Sequence, residues 1–126
     1  MTSAGKQLGD EAYIAVTTFR RDGTPVSTPV WVAPDGEALL IWTVGASGKV
    51  KRIRRDGTVT VAPCTVRGVV KGEAVPGHAT VLGPEGGRTA RELIKRKYGL
   101  RGRLFVWMSV RRRGEDATVG VRITLD

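Results

Sequence analysis

Alternation of apolar and polar positions, rather than helical periodicity, dominates the first half of the chain. The run "AYIAVTTF" beginning at Ala12 is rich in β-forming residues, and the following "RRDGTP" carries an Asp22-Gly23 pair. Such a pair favours a tight hairpin, because glycine accepts positive φ without steric cost. In "VSTPVWV", Val26, Thr28, Val30 and Val32 share one face of a strand, and Ser27, Pro29 and Trp31 share the other. Pro29 has no backbone donor, so this strand is expected at an edge, at a bulge, or beside a ligand that replaces a neighbouring strand. A second turn, "PDG" at 34–36, leads into "EALLIWTV". "TVTVAPC" and "GEAVPGHATVL" supply further strands, and "RLFVWMSV" with "ATVGVRITL" closes the chain as a hairpin-like pair. The count is about six or seven strands by alternation and turn signals.

Two segments break this pattern. Within 47–55 the apolar residues are Val50 and Ile53, three apart, so a short helix can dock a narrow stripe while Lys51, Arg52 and Arg55 face water. Within 88–98, Ala90, Leu93, Ile94 and Tyr98 recur at helical spacing, Gly99 is placed as a C-terminal cap, and Lys95, Arg96 and Lys97 complement the helix dipole in the last turn. The fold class expected is therefore mostly β with minor α: an antiparallel sheet with two short helices, for which closure into a small barrel hides the edges.

A length of 126 residues corresponds to a single domain spanning 1–126, and 17 glycines with few aromatics agree with many turns between short elements. A net charge of +9 selects anionic partners: nucleic acid, anionic lipid, or a phosphorylated or carboxylated small molecule. Cys64, the single cysteine, cannot form an internal disulfide, and the first 13 residues lack the apolar core of a secretory signal, so a cytoplasmic location is expected. The densest apolar run, "ALLIWTV", is too short to cross a bilayer.

Candidate chemistry concentrates in "GASGKVKRIRRDG", 45–57. The basic residues are not interleaved with aromatics or with side chains suited to base edges, so nucleic acid is a poor partner for this segment. Its N-terminal end reads differently. Gly45, Ala46, Ser47 and Gly48 allow close backbone approach, and Lys49 lies in the first helical turn, where a cation opposes the helix dipole. A bound anion would resolve that conflict, with Ser47, backbone amides and the Lys49 ammonium forming a phosphate site. His78 and Cys64 are the sole residues of their kinds, which leaves a histidine triad, a cysteine-histidine pair or a zinc site without partners. The acidic residues Asp22, Asp35 and Asp56 sit in Asp-Gly turns, so any redox chemistry falls to a cofactor.

The ordered set "DGTPVSTPVWV", "DGEALLIWT" and "GASGKVKRIRRDGTVTV" resembles the pyridoxamine 5′-phosphate oxidase-like, flavin-binding split β-barrel superfamily, and within it the actinobacterial branch that uses the deazaflavin coenzyme F420. Flavin-using members hold the cofactor phosphate with an aromatic-Thr pair, a Ser-Arg-Lys run, and an Arg and a Lys on the preceding strand. Trp42 and Thr43 match the pair, and Ser47, Gly48 and Lys49 match the run with glycine in place of arginine. The two basic strand positions fall at Ser27 and Val32. The resemblance implies an oxidoreductase that transfers hydride from reduced coenzyme F420 to a small organic acceptor, with FMN as the alternative cofactor. It also implies a homodimer with the cofactor at the subunit interface. The ring would lie near Thr28, Pro29 and Trp31, and the phosphate near Lys49. A non-catalytic cofactor-binding module or a basic nucleic-acid-binding module is the contrasting class.

Overall fold

A computed structural model describes residues 4–113 and 118–126. The chain runs α1 (Ala4–Gly9), β1 (Ile14–Phe19), β2 (Pro25–Val30), β3 (Ala33–Asp35), β4 (Ala38–Val44), α2 (Gly48–Arg55), β5 (Thr58–Pro63), β6 (Val75–Val81), α3 (Pro84–Arg113) and β7 (Thr118–Leu125). The seven strands form one antiparallel sheet in the order β2-β1-β5-β6-β7-β4-β3, curled into a split barrel.

The register places apolar partners on one face. Val16 lies opposite Val61, Ile41 opposite Val121, and Leu39 opposite Ile123, and all six side chains are fully buried. Alternation thus assigns each strand a core side. The first hairpin turns on Gly23, whose φ is 87°, with Asp22 accepting from the Thr24 N–H at 3.0 Å. Strand β2 is an edge strand, where the missing donor of Pro29 costs nothing.

β3 (Ala33–Asp35) pairs with β4 where 34–36 reads as a turn, and two larger features also differ from the sequence expectation. The stretch "RLFVWMSV" at 103–110 lies within α3 rather than in a strand. Its composition suits either state, but β7 is already hydrogen-bonded on both sides, to β6 and β4, so the hairpin expected between this stretch and β7 has no free β7 edge to use. Gly99, expected as a helix cap, does interrupt the helix with φ 61° and ψ −135°, and the chain then resumes helical geometry to Arg113. The second difference is α1, whose Leu8 is inserted into the core.

Helix α3 approaches the sheet closely at its start. A Cβ on Gly120 would lie 3.0 Å from the Gly86 carbonyl oxygen and 3.1 Å from the Ala90 Cβ, so glycine lets the helix settle on β7 without displacing its backbone. Ala90 and Ile94 are the buried residues of this half. At its end the helix is pinned by two side chains. Lys97 Nζ donates to the carbonyls of Gly9, Glu11 and Val32 at 2.6, 2.5 and 2.7 Å. The Tyr98 hydroxyl donates to the Ala12 carbonyl at 2.6 Å and accepts from the Val32 N–H at 3.1 Å. One turn of helix thereby ties together the α1–β1 link and the β2–β3 junction.

Desolvation lowers the Lys97 pKa to about 8, with Asp10 and Glu11 opposing the shift. The unfolded chain therefore binds more proton than the native state from about pH 8 up to the ordinary lysine value near 10.4. The penalty for burying the charge is complete below pH 8 and is relieved across that window. The Lys97 contribution to the stability-versus-pH slope is thus positive there, and urea titrations should show that contribution lost in Lys97→Met. Tyr98→Phe should lower stability by about 1–3 kcal/mol, because the Val32 N–H and the Ala12 carbonyl both lose their partner; equilibrium urea unfolding reads this directly.

Candidate anion and cofactor site

The site is built where β4 hands the chain to α2. The Ser47 N–H donates to the Val44 carbonyl at 3.1 Å, closing the turn, and the Ser47 Oγ accepts from the Val50 N–H at 3.4 Å as the N-cap of α2. Val50 and Ile53 are buried and seat the helix on the sheet, as their spacing predicts. This seating carries Lys49 inward. Its side chain is 9% exposed, and its Nζ donates to Thr43 Oγ1 at 3.3 Å.

Burial pushes the Lys49 pKa below its ordinary value, and the nearby Arg52 charge lowers it further. Among the described residues a neutral hydroxyl is the ammonium's hydrogen-bond partner, and no acidic residue occupies the first turn of α2. Buried cations are normally paired with an anion. An anion placed here would meet the ammonium, the Thr43 hydroxyl and the free N–H groups of the helix start.

Arg52 belongs to the same group, contrary to the expectation that it faces water. Its Nε donates to Thr18 Oγ1 at 2.6 Å, and Thr18 is 1% exposed. The guanidinium also lies against Gly48, where an added Cβ would stand 2.8 Å from Nη1. Gly48, in the position of the family's arginine, thus makes room for an arginine four residues on. Arg55 donates to the Phe19 carbonyl but stays exposed, as expected, and Lys51 and Arg54 are exposed too. The legible signal for this group was Thr18 itself, a polar residue on the β1 face that otherwise presents Ile14 and Val16.

The eight residues expected at the site do not all converge. Thr43, Ser47, Gly48 and Lys49 come together. Thr28 pairs with Val16 on the core side of β2, where its buried Oγ1 has no hydrogen-bond partner among the described residues. Pro29 is exposed on the other side of that strand, 3.6 Å from a Cβ built on Gly68. Trp31 stacks on the Tyr98 ring, with centroids 4.2 Å apart and planes 8° from parallel, so one of its faces is committed to packing. Trp42 projects from β4 on the side opposite Thr43, into a cleft of about 350 Å³ that Gly87, Arg88, Arg91 and Thr118 help to line. An adjacent pair in sequence is thus divided between two faces of one strand.

Elsewhere, Cys64 is buried and its pKa is raised by desolvation, and His78 is exposed on β6. Among the described residues there is no cluster of three or more His, Cys, Asp or Glu suited to a metal.

An antiparallel split barrel with a short helix between β4 and β5, and a buried lysine at the start of that helix, defines the structural class: the fold is that of the pyridoxamine 5′-phosphate oxidase-like split barrels. The chain resembles a solved F420 reductase at 18% identity and TM-score 0.63, with 100% of this chain and 96% of that one covered. It resembles an FAD-binding protein from Mesorhizobium loti at 17% identity and TM-score 0.64, covering 96% and 84%. A candidate pyridoxamine 5′-phosphate oxidase from Listeria innocua matches at 17% identity and TM-score 0.61, covering 94% and 87%. No protein-family model and no curated relative matches the sequence.

Arg52→Ala should lower stability by about 1–3 kcal/mol, since the buried Thr18 hydroxyl loses its donor. Arg54→Ala should stay within about 0.5 kcal/mol of the parent. Thermal unfolding of the two variants side by side separates the packed arginine from the solvated one.

Proposed function

We propose that the protein is an oxidoreductase that binds coenzyme F420 in its reduced form and passes hydride to a small organic acceptor. The observation that carries this reading is Lys49: an ammonium buried at a helix N-terminus, beside a second cation, with a neutral hydroxyl as its hydrogen-bond partner among the described residues. Such an arrangement fits a phosphate. Lys49, Thr43 and the Ser47-Gly48 backbone would hold the phosphate of the coenzyme. Pro29, on the outward side of β2, and the remaining face of Trp31, just beyond the end of that strand, would border its ring. Bound there, the deazaflavin supplies the hydride and the protein supplies orientation and an apolar surface.

The choice of coenzyme F420 over FMN is supported by the near-complete mutual coverage with the F420 reductase and by Ser27 and Val32 at the positions that are basic in flavin-using members of the superfamily the sequence resembles. The wide excess of positive charge suits an acidic coenzyme tail. A homodimer is part of the same reading. Val66, Val69 and Val70 are exposed in the loop whose Gly68 approaches Pro29, an apolar area that a second copy would cover. Among the described residues no helix is long and apolar enough to cross a membrane.

Fluorescence titration of the purified protein with coenzyme F420 and, separately, with FMN tests the proposal. Preferential coenzyme F420 binding is expected, weakened at least about tenfold in Lys49→Ala, as loss of a charge-assisted hydrogen bond predicts. Because the lysine pKa is lowered, affinity should also fall with rising pH sooner than an exposed lysine would dictate, and that dependence should vanish in the variant. Unchanged affinity in Lys49→Ala would remove the phosphate site, and tighter FMN binding would reassign the cofactor.

A further inference from the structure

We propose that the part of α3 beyond Gly99 is a docking surface for anionic lipid bilayers, a property separate from the cofactor site. Leu100, Leu104, Trp107 and Met108 are 84, 56, 56 and 55% exposed. Their spacing of four, seven and eight residues from Leu100 sets them on one helical stripe. Gly102 and Val106, between them in sequence, are buried, so the helix is seated by one side and presents the apolar stripe on another.

Charge decides the occupant. From Leu100 to Arg113 the sequence contains Arg101, Arg103, Arg111, Arg112 and Arg113 and no acidic residue. Arg101 and Arg103 are exposed, and the Arg111 guanidinium lies over the Trp107 ring at 5.2 Å. A second copy meeting this surface about a two-fold axis would set arginine against arginine, because an isologous contact pairs a patch with itself. Nucleic acid would satisfy the arginines but not three exposed aliphatic side chains. An anionic bilayer satisfies both: apolar side chains enter the headgroup–acyl boundary, Trp107 sits at the interface, and the arginines meet lipid phosphates. The segment spans about 21 Å as a helix of 14 residues and carries five arginines, so it lies along the surface instead of crossing it.

Vesicle co-sedimentation of the full chain tests this, with phosphatidylcholine vesicles and with vesicles containing phosphatidylglycerol, alongside light scattering. The parent should pellet with the anionic vesicles and not with the zwitterionic ones. Leu104→Glu should reduce partitioning by about tenfold or more, since it removes an exposed leucine that would enter the bilayer and adds repulsion. Arg101→Glu/Arg103→Glu, which keeps the stripe, should reduce it about fivefold or more for each arginine lost. All variants should keep the parent's circular dichroism and coenzyme titration, because they alter exposed positions. Equal sedimentation of parent and Leu104→Glu, or none by the parent, would overturn the proposal. So would a smaller assembly mass in Leu104→Glu, which would make a second copy the occupant, or loss of duplex DNA binding in that variant, which would make it nucleic acid.

Discussion

The whole architecture depends on the last strand. β7 is hydrogen-bonded to β6 on one side and β4 on the other, and so joins β2-β1-β5-β6 to β4-β3. Without it β4 would have no ladder to the first half of the sheet. The chain enters this gap late, after α2 has already crossed from β4 to β5, and the gap explains why α2 exists. A direct turn cannot connect two strands separated by two others in the sheet. The candidate site follows from that crossing, because the crossing helix starts against the end of β4 and must bury part of its first turn.

One buried and one half-buried lysine illustrate how differently one side chain can be used. Lys97 meets three backbone carbonyls and serves as a tie between separate segments. Lys49 is the more deeply enclosed, yet a neutral hydroxyl is its hydrogen-bond partner among the described residues and Arg52 is its charged neighbour. The first arrangement is complete within the chain. The second holds electrostatic cost that an anion would relieve, as a cation kept for binding would. Gly48 serves both needs, since the space above it is filled by the Arg52 guanidinium rather than by its own side chain.

The kink at Gly99 separates α3 into parts with different tasks. Before it, Ala90 and Ile94 pack on the sheet and Lys97 with Tyr98 close the α1–β1 link. After it, the helix carries an apolar stripe beside arginines, an arrangement whose cost in water is accepted where a partner surface covers it.

Local sequence patterns were sufficient to place β1, β2, β4, β5, β6 and β7, the Asp22-Gly23 hairpin, the edge position of Pro29 and the seating of α2 through Val50 and Ile53. These rest on local chemistry: side-chain period, turn geometry and the missing proline donor. The motif at 47–49 was legible for the same reason, because a first-turn lysine conflicts with the helix dipole whatever the fold. Only the tertiary structure decided that "RLFVWMSV" is helical, since that outcome depends on β7 having both edges occupied. It likewise decided that Trp31 stacks on Tyr98 and that Trp42 enters a cleft lined by Gly87, Arg88 and Arg91 of α3. It also drew Arg52 from the expected wet face to Thr18, a residue 34 positions away. Contacts between distant segments are set by how the sheet curls and what its helices cover, and no local pattern encodes them.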